Sequence, residues 1–159
     1  MIKMIVCTDI NGGIGRNNDL LFNIKEDMKF FREMTKGNII VMGYNTWLSL
    51  PVKPLPDRDN YVLCDERKLI HGANVLRSLD EVFKLGKKED IFIIGGGMVY
   101  NSIINSGMLD EAYVTMVYAD GEADVFIDLK ELEKRLPNKN IIKYISTDKY
   151  KAIIYKLFK

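Results

Sequence analysis

Short apolar runs that end in glycine alternate with segments of helical period along this chain, and this pattern constrains the fold most strongly. Residues 91–94 (IFII) are followed by three glycines, and residues 38–42 (NIIVM) are followed by Gly43. Continuous apolar strands that alternate with helices are typical of a mostly parallel sheet covered on both faces. We therefore predict an α/β fold, a three-layer α/β/α sandwich around a mostly parallel central sheet with a C-terminal antiparallel hairpin.

The remaining elements follow from periodicity and from residues that begin or end helices. Further strands are expected at residues 1–8, 60–64, 75–76 and 112–118, and in a hairpin of residues 141–146 and 152–158. Helices are expected at residues 24–36, 45–50, 79–85 and 99–106, with Gly37 after the first and Asn45 as the N-cap of the second. The chain of 159 residues has no internal repeat, so we expect a single domain, residues 1–159.

Composition excludes several classes of function. Lys and Arg total 23 against 22 Asp and Glu, so the net charge of +1 provides no basic surface for nucleic acid or an acidic membrane. Cys7, Cys64 and the single His71 form no zinc-ligand pattern, so no metal is expected. The apolar start of the chain is too short for a signal peptide, and no run approaches the length of a membrane span. We expect a cytoplasmic protein that is monomeric by default.

Asp27 is the most informative position, because it breaks the apolar side of a predicted helix. On a helical wheel of residues 24–36, Asp27 falls between Phe31 and Met34, inside the apolar arc. One interpretation is a solvated first-turn carboxylate that the helix dipole favours. The other is a carboxylate held in an apolar cleft, where it binds a cationic or amidine-like group and desolvation raises its pKa. We favour the second interpretation.

Glycines at two strand-to-helix junctions predict a site for phosphate groups. Residues 95–97 would let the backbone approach an anion closely, at the N-terminus of a helix that attracts it. Residues 43–46 (GYNT) form a second such junction, and two of them suit an elongated diphosphate cofactor. Neither junction has a Rossmann or a Walker pattern, and tight strand-to-helix packing would produce the same glycines.

A stiff loop, residues 54–58 (PLPDR), presents one arginine. The planar guanidinium of Arg58 suits a carboxylate bidentately, and a solvated loop charge is the alternative.

Taken in order, these motifs resemble the dihydrofolate reductase family, in particular a bacterial or phage-like member. The segments that carry the resemblance are residues 14–20 (IGRNNDL), Asp27 with Phe31, residues 41–47 (VMGYNTW), 54–58 (PLPDR), 93–100 (IIGGGMVY) and 113–115 (YVT), and Asp124. The resemblance implies reduction of 7,8-dihydrofolate to 5,6,7,8-tetrahydrofolate with NADPH. Asp27 would bind the pterin and assist its protonation while the nicotinamide delivers a hydride.

The resemblance also implies roles for individual positions. Catalytic roles are implied for Asp27, Phe22, Leu20 and Thr115. Substrate contacts are implied for Ile5, Val6, Asp27, Met28, Phe31, Leu50, Leu55, Arg58, Ile94, Tyr100 and Thr115. Cofactor contacts are implied for Cys7, Ile14, Gly15, Leu20, Gly43, Tyr44, Asn45, Thr46, Leu63, Cys64, Asp65, Arg77, Ile94, Gly95, Gly96, Gly97, Met98, Val99 and Tyr100. Residues 14–20 would form the loop that closes over the nicotinamide.

This chain departs from the family pattern at two positions whose side chains usually bind the phosphate on the adenosine ribose. Tyr44 replaces an arginine, and Asp65 replaces a serine or threonine. An acidic residue near the ribose repels a 2′-phosphate, whereas Arg67, Lys68 and Arg77 would restore positive charge. NADPH is the expected cofactor, with NADH as the alternative.

A third departure from the family pattern concerns the supply of the proton. Phe22 stands where the family often has a tryptophan, and it cannot donate the indole hydrogen bond that usually fixes a water near the carboxylate.

Two other functions compete with the proposed reductase. A reductase of the same fold in riboflavin synthesis would need a polar pocket where Phe31, Leu50 and Leu55 stand. A catalytically silent nucleotide-binding module would be expected to lose Asp27 or the glycines.

Overall fold

An eight-stranded sheet forms the centre of the protein, in a computed structural model that describes residues 1–66 and 69–159. The strands formed by these residues are β1 (Ile2–Thr8), β2 (Gly13–Gly15), β3 (Ile39–Gly43), β4 (Asp59–Leu63), β5 (Asn74–Leu76), β6 (Ile91–Gly95), β7 (Glu111–Val117), β8 (Val125–Phe126), β9 (Asn138–Ser146) and β10 (Lys151–Phe158). The helices of the same residues are α1 (Lys25–Thr35), α2 (Tyr44–Ser49), α3 (Leu79–Lys88), α4 (Gly97–Ser106) and α5 (Leu129–Arg135).

The sheet has the strand order β5-β4-β3-β6-β1-β7-β10-β9. Pairing is parallel from β5 to β7, and only the C-terminal strands β10 and β9 join antiparallel within the described sheet. The prediction of a mostly parallel α/β sandwich with a C-terminal hairpin is therefore confirmed. Because the parallel strands share one direction, the loops that follow β1, β3, β4 and β6 emerge at one edge, where such folds bind ligands.

The two faces of the sheet are covered unequally. On one face, helices α3, α4 and α5 bury a large core that includes Val82, Ile103 and Leu132. On the other face, α1 lies less deeply, because Thr35 alone of the residues described in this helix is fully buried. Its apolar residues Phe30 and Phe31 and the acidic Asp27 stay partly accessible, and we call the space beside these side chains, between α1 and the sheet, the cleft.

Three predicted features of the chain were incomplete or wrong. The Gly-rich loop after β1 contains strand β2, which pairs with the unpredicted β8 in a separate two-stranded sheet. Two-residue strands have no periodicity that a sequence could reveal. Helix α5 was also missed, although Asp128 caps it by accepting a hydrogen bond from the Glu131 backbone N–H, a spacing typical of a helix start. Strand β9 begins at Asn138 rather than at residue 141, because its polar first residues lie at an exposed edge.

The other strands and helix α1 begin and end within one residue of the predicted positions, and the remaining helices differ as follows. Asn45 is not an N-cap: α2 begins one residue earlier, with Gly43 in the capping position and no side-chain cap bond. Helix α4 begins at Gly97 rather than at residue 99, and α3 extends to Lys88 rather than ending at residue 85. None of the helices described here is long and apolar enough to cross a membrane.

Candidate active site

The Asp27 carboxylate lies inside the cleft between α1 and the sheet. Asp27 occupies the first turn of α1, its side chain is partly buried, and its Oδ1 accepts a hydrogen bond of 2.5 Å from the Thr115 hydroxyl on β7. Cys7 on β1 is the register partner of Thr115, so the two side chains are neighbours on one face of the parallel pair. The Thr115 hydroxyl thus bonds to the carboxylate, and the Cys7 thiol lies close enough to influence its pKa.

Opposing effects set the proton affinity of this carboxyl group. Burial raises the pKa of Asp27 above its ordinary value, while the hydrogen bonds from Thr115 and Cys7 lower it by less. Burial and the nearby charge of Asp27 also raise the pKa of the Cys7 thiol, which therefore stays neutral as a donor. A carboxylate in this setting binds a flat cationic or amidine-like group and holds a proton more readily than a solvated aspartate does.

Apolar side chains line the cleft around Asp27. Phe31, Leu50 and Leu55 are partly buried against the cluster that contains Ile5, and Ile94 packs on the same cluster. These predicted substrate residues are thus brought together. Two others are placed differently: Met28 is 47% exposed at the rim, and the Val6 side chain packs into the core on the opposite face.

Tyr100 connects the floor of the cleft to helix α4. Its hydroxyl is buried and donates a hydrogen bond of 2.7 Å to the carbonyl oxygen of Ile5. Burial raises the pKa of Tyr100, so the phenol remains a donor. The Ile5 carbonyl is consequently held in a fixed orientation in the middle of β1.

Arg58 lies at the outer end of the cleft. Its Nε donates to the Thr35 hydroxyl at 2.8 Å, its Nη1 donates to the Pro56 carbonyl at 2.7 Å, and its guanidinium lies 5.7 Å from the centre of the Phe31 ring. Burial and the positive charge of Arg32 lower its pKa. Arg58 is therefore held against the cleft wall and is not a freely solvated loop charge.

The two glycine junctions lie side by side at the carboxyl edge of the sheet. A Cβ placed on Gly43 would lie 3.0 Å from Val99 Cγ2, and one on Gly96 would lie 3.2 Å from the Thr46 hydroxyl. A Cβ on Gly97 would meet Val125 at 2.5 Å. A side chain at these three positions would therefore crowd neighbouring side chains, so glycine is needed for the close packing of the two junctions. The positive end of α4 lies at the second junction, which suits a diphosphate.

The other predicted cofactor residues lie around this edge at different depths. Leu63 ends β4, Cys64 is buried behind it, and Asp65 is exposed. The Arg77 guanidinium donates to the Cys64 carbonyl at 3.2 Å and to the Glu66 carbonyl. Further positions at this edge are the buried Gly95, the partly buried Tyr44 and Thr46, the exposed Asn45, and Met98, which is 87% exposed. The positive charges expected from Arg67 and Lys68 lie outside the described residues.

The loop after β1 is held by the segment that contains β8. Gly15 accepts a hydrogen bond from the Asp124 backbone N–H, and the Asp124 carboxylate accepts one from the Asn17 N–H, both at 2.9 Å. Ile14 and Gly15 belong to β2, and Leu20, beyond the tight turn, is 74% exposed.

Phe22 follows this loop and packs inward. Its ring meets Tyr150 edge-on with 5.0 Å between the ring centres, and it belongs to the cluster that includes Ile24 and Cys7. Two polar features were not foreseen in the sequence: the contact of Cys7 with Asp27, and the complete burial of Asp9. The only sequence signal for Asp9 was an acidic residue directly after a buried strand.

Comparisons with known proteins agree with this geometry. Residues 1–155 match the family model described as dihydrofolate reductase. A viral dihydrofolate reductase of Saimiriine herpesvirus 2 is 36% identical, with 98% of this chain and 82% of the viral protein covered. The dihydrofolate reductase of Sus scrofa is 35% identical, with 84% of this chain and 82% of that protein covered.

A solved structure is similar over the whole fold. It is a dihydrofolate reductase from Enterococcus faecalis, described as complexed with NADP(H) and RAB-propyl, with a TM-score of 0.82 and 26% identity over 99% of this chain and 95% of that one. The fold and the site define an α/β oxidoreductase. The chain belongs to the dihydrofolate reductase family.

The raised pKa of Asp27 has a consequence for stability. Native Asp27 binds a proton more readily than the unfolded chain does, so its contribution to stability falls as the pH rises through its native pKa. We expect Asp27→Asn to raise the free energy of unfolding at pH 7, with a gain that shrinks as the pH is lowered. Urea unfolding at several pH values measures this gain.

Glu33→Gln serves as the matched control on the same helix, because Glu33 is exposed. We expect this substitution to change the free energy of unfolding by no more than about 0.5 kcal/mol at every pH. A loss of stability in Asp27→Asn, or a gain independent of pH, would contradict the assignment of a desolvated carboxylate.

Proposed function

We propose that this protein reduces 7,8-dihydrofolate to 5,6,7,8-tetrahydrofolate with NADPH, using Asp27 to bind the pterin and assist its protonation. The observation that carries the proposal is the Asp27 carboxylate in an apolar cleft, bonded to Thr115 and beside two glycine junctions. Membership of the dihydrofolate reductase family and the NADP(H) complex of the Enterococcus faecalis relative support it. The proposal treats residues 1–159 as one domain that works as a monomer.

The cleft matches the shape and chemistry of the substrate. The pterin presents an amidine-like edge with two parallel N–H donors, which the two oxygens of the Asp27 carboxylate can accept. Phe31, Leu50 and Leu55 provide apolar walls for the pterin and the benzoyl ring. The same apolar walls disfavour the riboflavin-pathway alternative, whose ribityl phosphate requires polar partners. Arg58, oriented at the outer end, would bind the carboxylate of the glutamate tail.

The carboxyl edge of the sheet fits the cofactor. The backbone of residues 95–97 at the start of α4 and the adjoining Gly43 and Thr46 would hold the diphosphate. Ile14, Gly15 and Leu20 would cover the nicotinamide, and the carbonyls of Ile5 and Ile94 would line its end of the site. Bound NADPH supplies the hydride for the carbon next to the substrate's imine nitrogen.

Protonation of the imine nitrogen depends on Asp27. Its raised pKa allows the carboxyl group to take up a proton, and once that proton has been released towards the imine nitrogen, the ionised carboxylate stabilises the protonated pterin. Phe22 has no polar hydrogen, so the hydrogen bond to the carboxylate comes from the sheet, from the Thr115 hydroxyl, with Cys7 next to it on β1. Water that reaches the cleft past the exposed Leu20 would deliver the proton.

Residues that follow β4 and β5 would determine how the 2′-phosphate of NADPH is bound. Asp65 is exposed and would repel the phosphate, whereas Arg77 is positively charged and contacts the backbone of Cys64 and Glu66 nearby. Tyr44 is partly buried at the same edge and would pack against the adenosine. Cofactor preference in this chain therefore depends on the balance between Asp65 and Arg77.

An assay of the purified protein tests the proposed function directly. With dihydrofolate present, we expect the absorbance of the reduced nicotinamide to fall with time, with a higher kcat/KM for NADPH than for NADH. If neither cofactor is oxidised, the proposed reaction is wrong. A preference for NADH would overturn the NADPH assignment alone and would attribute the preference to Asp65.

The role of Asp27 predicts a specific pH dependence. We expect Asp27→Asn to lower kcat about 100-fold or more at pH 7, because assisted protonation contributes on that scale. Activity should recover partly as the pH falls, since the substrate then arrives already protonated from solution. Steady-state rates across the pH range measure this effect, with Glu33→Gln as the control. A wild-type rate in Asp27→Asn at neutral pH would remove Asp27 from the mechanism.

The role of Arg58 predicts an effect that depends on the substrate's tail. We expect Arg58→Ala to raise the KM for dihydrofolate about tenfold or more, because hydrogen bonds between charged groups contribute about 1.5–3 kcal/mol. The KM for NADPH should not change. Dihydropteroate, which lacks the glutamate, provides the control: its KM should be the same for the variant and the parent. An equal loss with both substrates would assign Arg58 to the cleft structure instead.

A further inference from the structure

Asp9 places a fully buried carboxylate outside the catalytic cleft. It follows β1 directly, and its side chain has no exposed surface. Its Oδ1 accepts hydrogen bonds from the backbone N–H groups of Asn11 at 2.8 Å and Gly13 at 2.7 Å, and its Oδ2 accepts one from Gly121 at 3.0 Å. A buried charge is costly, and three charge-assisted bonds to backbone compensate for that cost.

These bonds join two segments that are distant in sequence. We call residues 9–24 the active-site loop and residues 118–124 the support loop. One oxygen of Asp9 binds the base of the active-site loop, and the other binds the support loop. The same junction contains a hydrogen bond of 3.1 Å from the Ile10 N–H to the Ala119 carbonyl. It is also tightly packed, because a Cβ on Gly13 would lie 2.5 Å from the Ala123 Cβ.

Gly121, which Asp9 holds in place, also packs against the end of the active-site loop. A Cβ on Gly121 would lie 2.8 Å from Leu21 Cδ1 and 3.2 Å from Phe22 Cζ, so the glycine backbone is in direct contact with both side chains. Phe22 packs in turn in the same cluster as Cys7, whose thiol lies near enough to the Asp27 carboxylate for each group to affect the pKa of the other. A continuous series of contacts therefore runs from Asp9 to the catalytic cleft.

We propose that Asp9 is a positioning residue, whose buried carboxylate holds Gly121 against Leu21 and Phe22 and so keeps the active-site loop ordered over the cleft. Asp124 anchors the tip of this loop through Gly15 and Asn17, whereas Asp9 anchors its base. Hydride transfer needs a dry and oriented site, so displacement of Leu21 and Phe22 would slow that step more than it weakens binding. The kinetic part of the proposal rests on the proposed function.

The test compares Asp9→Asn with Asp120→Asn. The amide of Asp9→Asn keeps one oxygen, which can still accept from the Asn11 and Gly13 N–H groups, but it turns an NH2 group instead of an oxygen towards the Gly121 N–H. Asp120 is exposed on the same support loop and accepts a hydrogen bond from the Glu122 N–H, which an amide oxygen can also accept. We expect Asp9→Asn to lower the single-turnover rate of hydride transfer about tenfold or more. Its KM values for NADPH and dihydrofolate should remain close to those of the parent.

The rate is measured with NADPH and with NADPH deuterated at the transferred position, at a temperature where circular dichroism shows each variant folded. The isotope effect on steady-state turnover should increase in Asp9→Asn, because hydride transfer becomes more rate-limiting, and should stay unchanged in Asp120→Asn. Amide hydrogen exchange should become faster in residues 20–23 as well as in residues 119–123. A merely structural role would lower the unfolding midpoint without these changes, and that result would overturn the proposal.

Gly121→Ala provides a second test that leaves the Asp9 carboxylate intact. The added methyl group would press on Leu21 and Phe22, so we expect the same selective loss of hydride transfer. Parental transfer rates in Gly121→Ala would overturn the proposal even if Asp9→Asn failed to fold. If the parent protein did not reduce dihydrofolate, the proposed function would fail, and exchange in residues 20–23 of Asp9→Asn would still decide whether Asp9 orders the loop.

Discussion

The placement of one carboxylate in apolar surroundings is the constraint on which the rest of this structure depends. Asp27 lies on the inner side of α1, where burial raises its pKa and the Thr115 hydroxyl holds it at 2.5 Å. A helix that carries such a group cannot press its apolar side fully onto the sheet without burying an uncompensated charge. The half-buried α1 and the open cleft follow from that cost. Folding stability is thus reduced where a bound ligand would restore it.

Tyr100 links the cleft to the glycine junction at the start of α4 through two hydrogen bonds. Its hydroxyl donates to the Ile5 carbonyl on β1, and its backbone N–H donates to the Gly96 carbonyl at 2.9 Å, in the first turn of α4. The groups that would face the pterin and those that would face the diphosphate therefore share one buried side chain. Such a connection keeps the two ligands in a constant relative orientation, which hydride transfer between flat rings requires.

The sequence predicts those parts of the structure in which apolar residues follow the spacing of a strand or a helix. The IFII run predicted β6, and the helical wheel predicted the inward side of α1 and with it the position of Asp27. Strand β8 has only two residues and no period, so it could not be found. The contact of Cys7 with Asp27 depends on the register of β1 and β7, and Asp9 bonds to Gly121, 112 residues later. Neither pairing leaves a local pattern in the chain.

Phe22 and Cys7 together change the source of the polar contacts to Asp27. The Phe22 ring packs against Tyr150 and provides no donor, in place of the indole that the family resemblance leads one to expect. Cys7, beside Thr115 on the neighbouring strand, supplies a thiol instead. A thiol is a weak donor, so it stabilises the ionised carboxylate less than a fixed water would. Asp27 therefore keeps more of the pKa increase that burial imposes, which favours proton uptake by this carboxyl group.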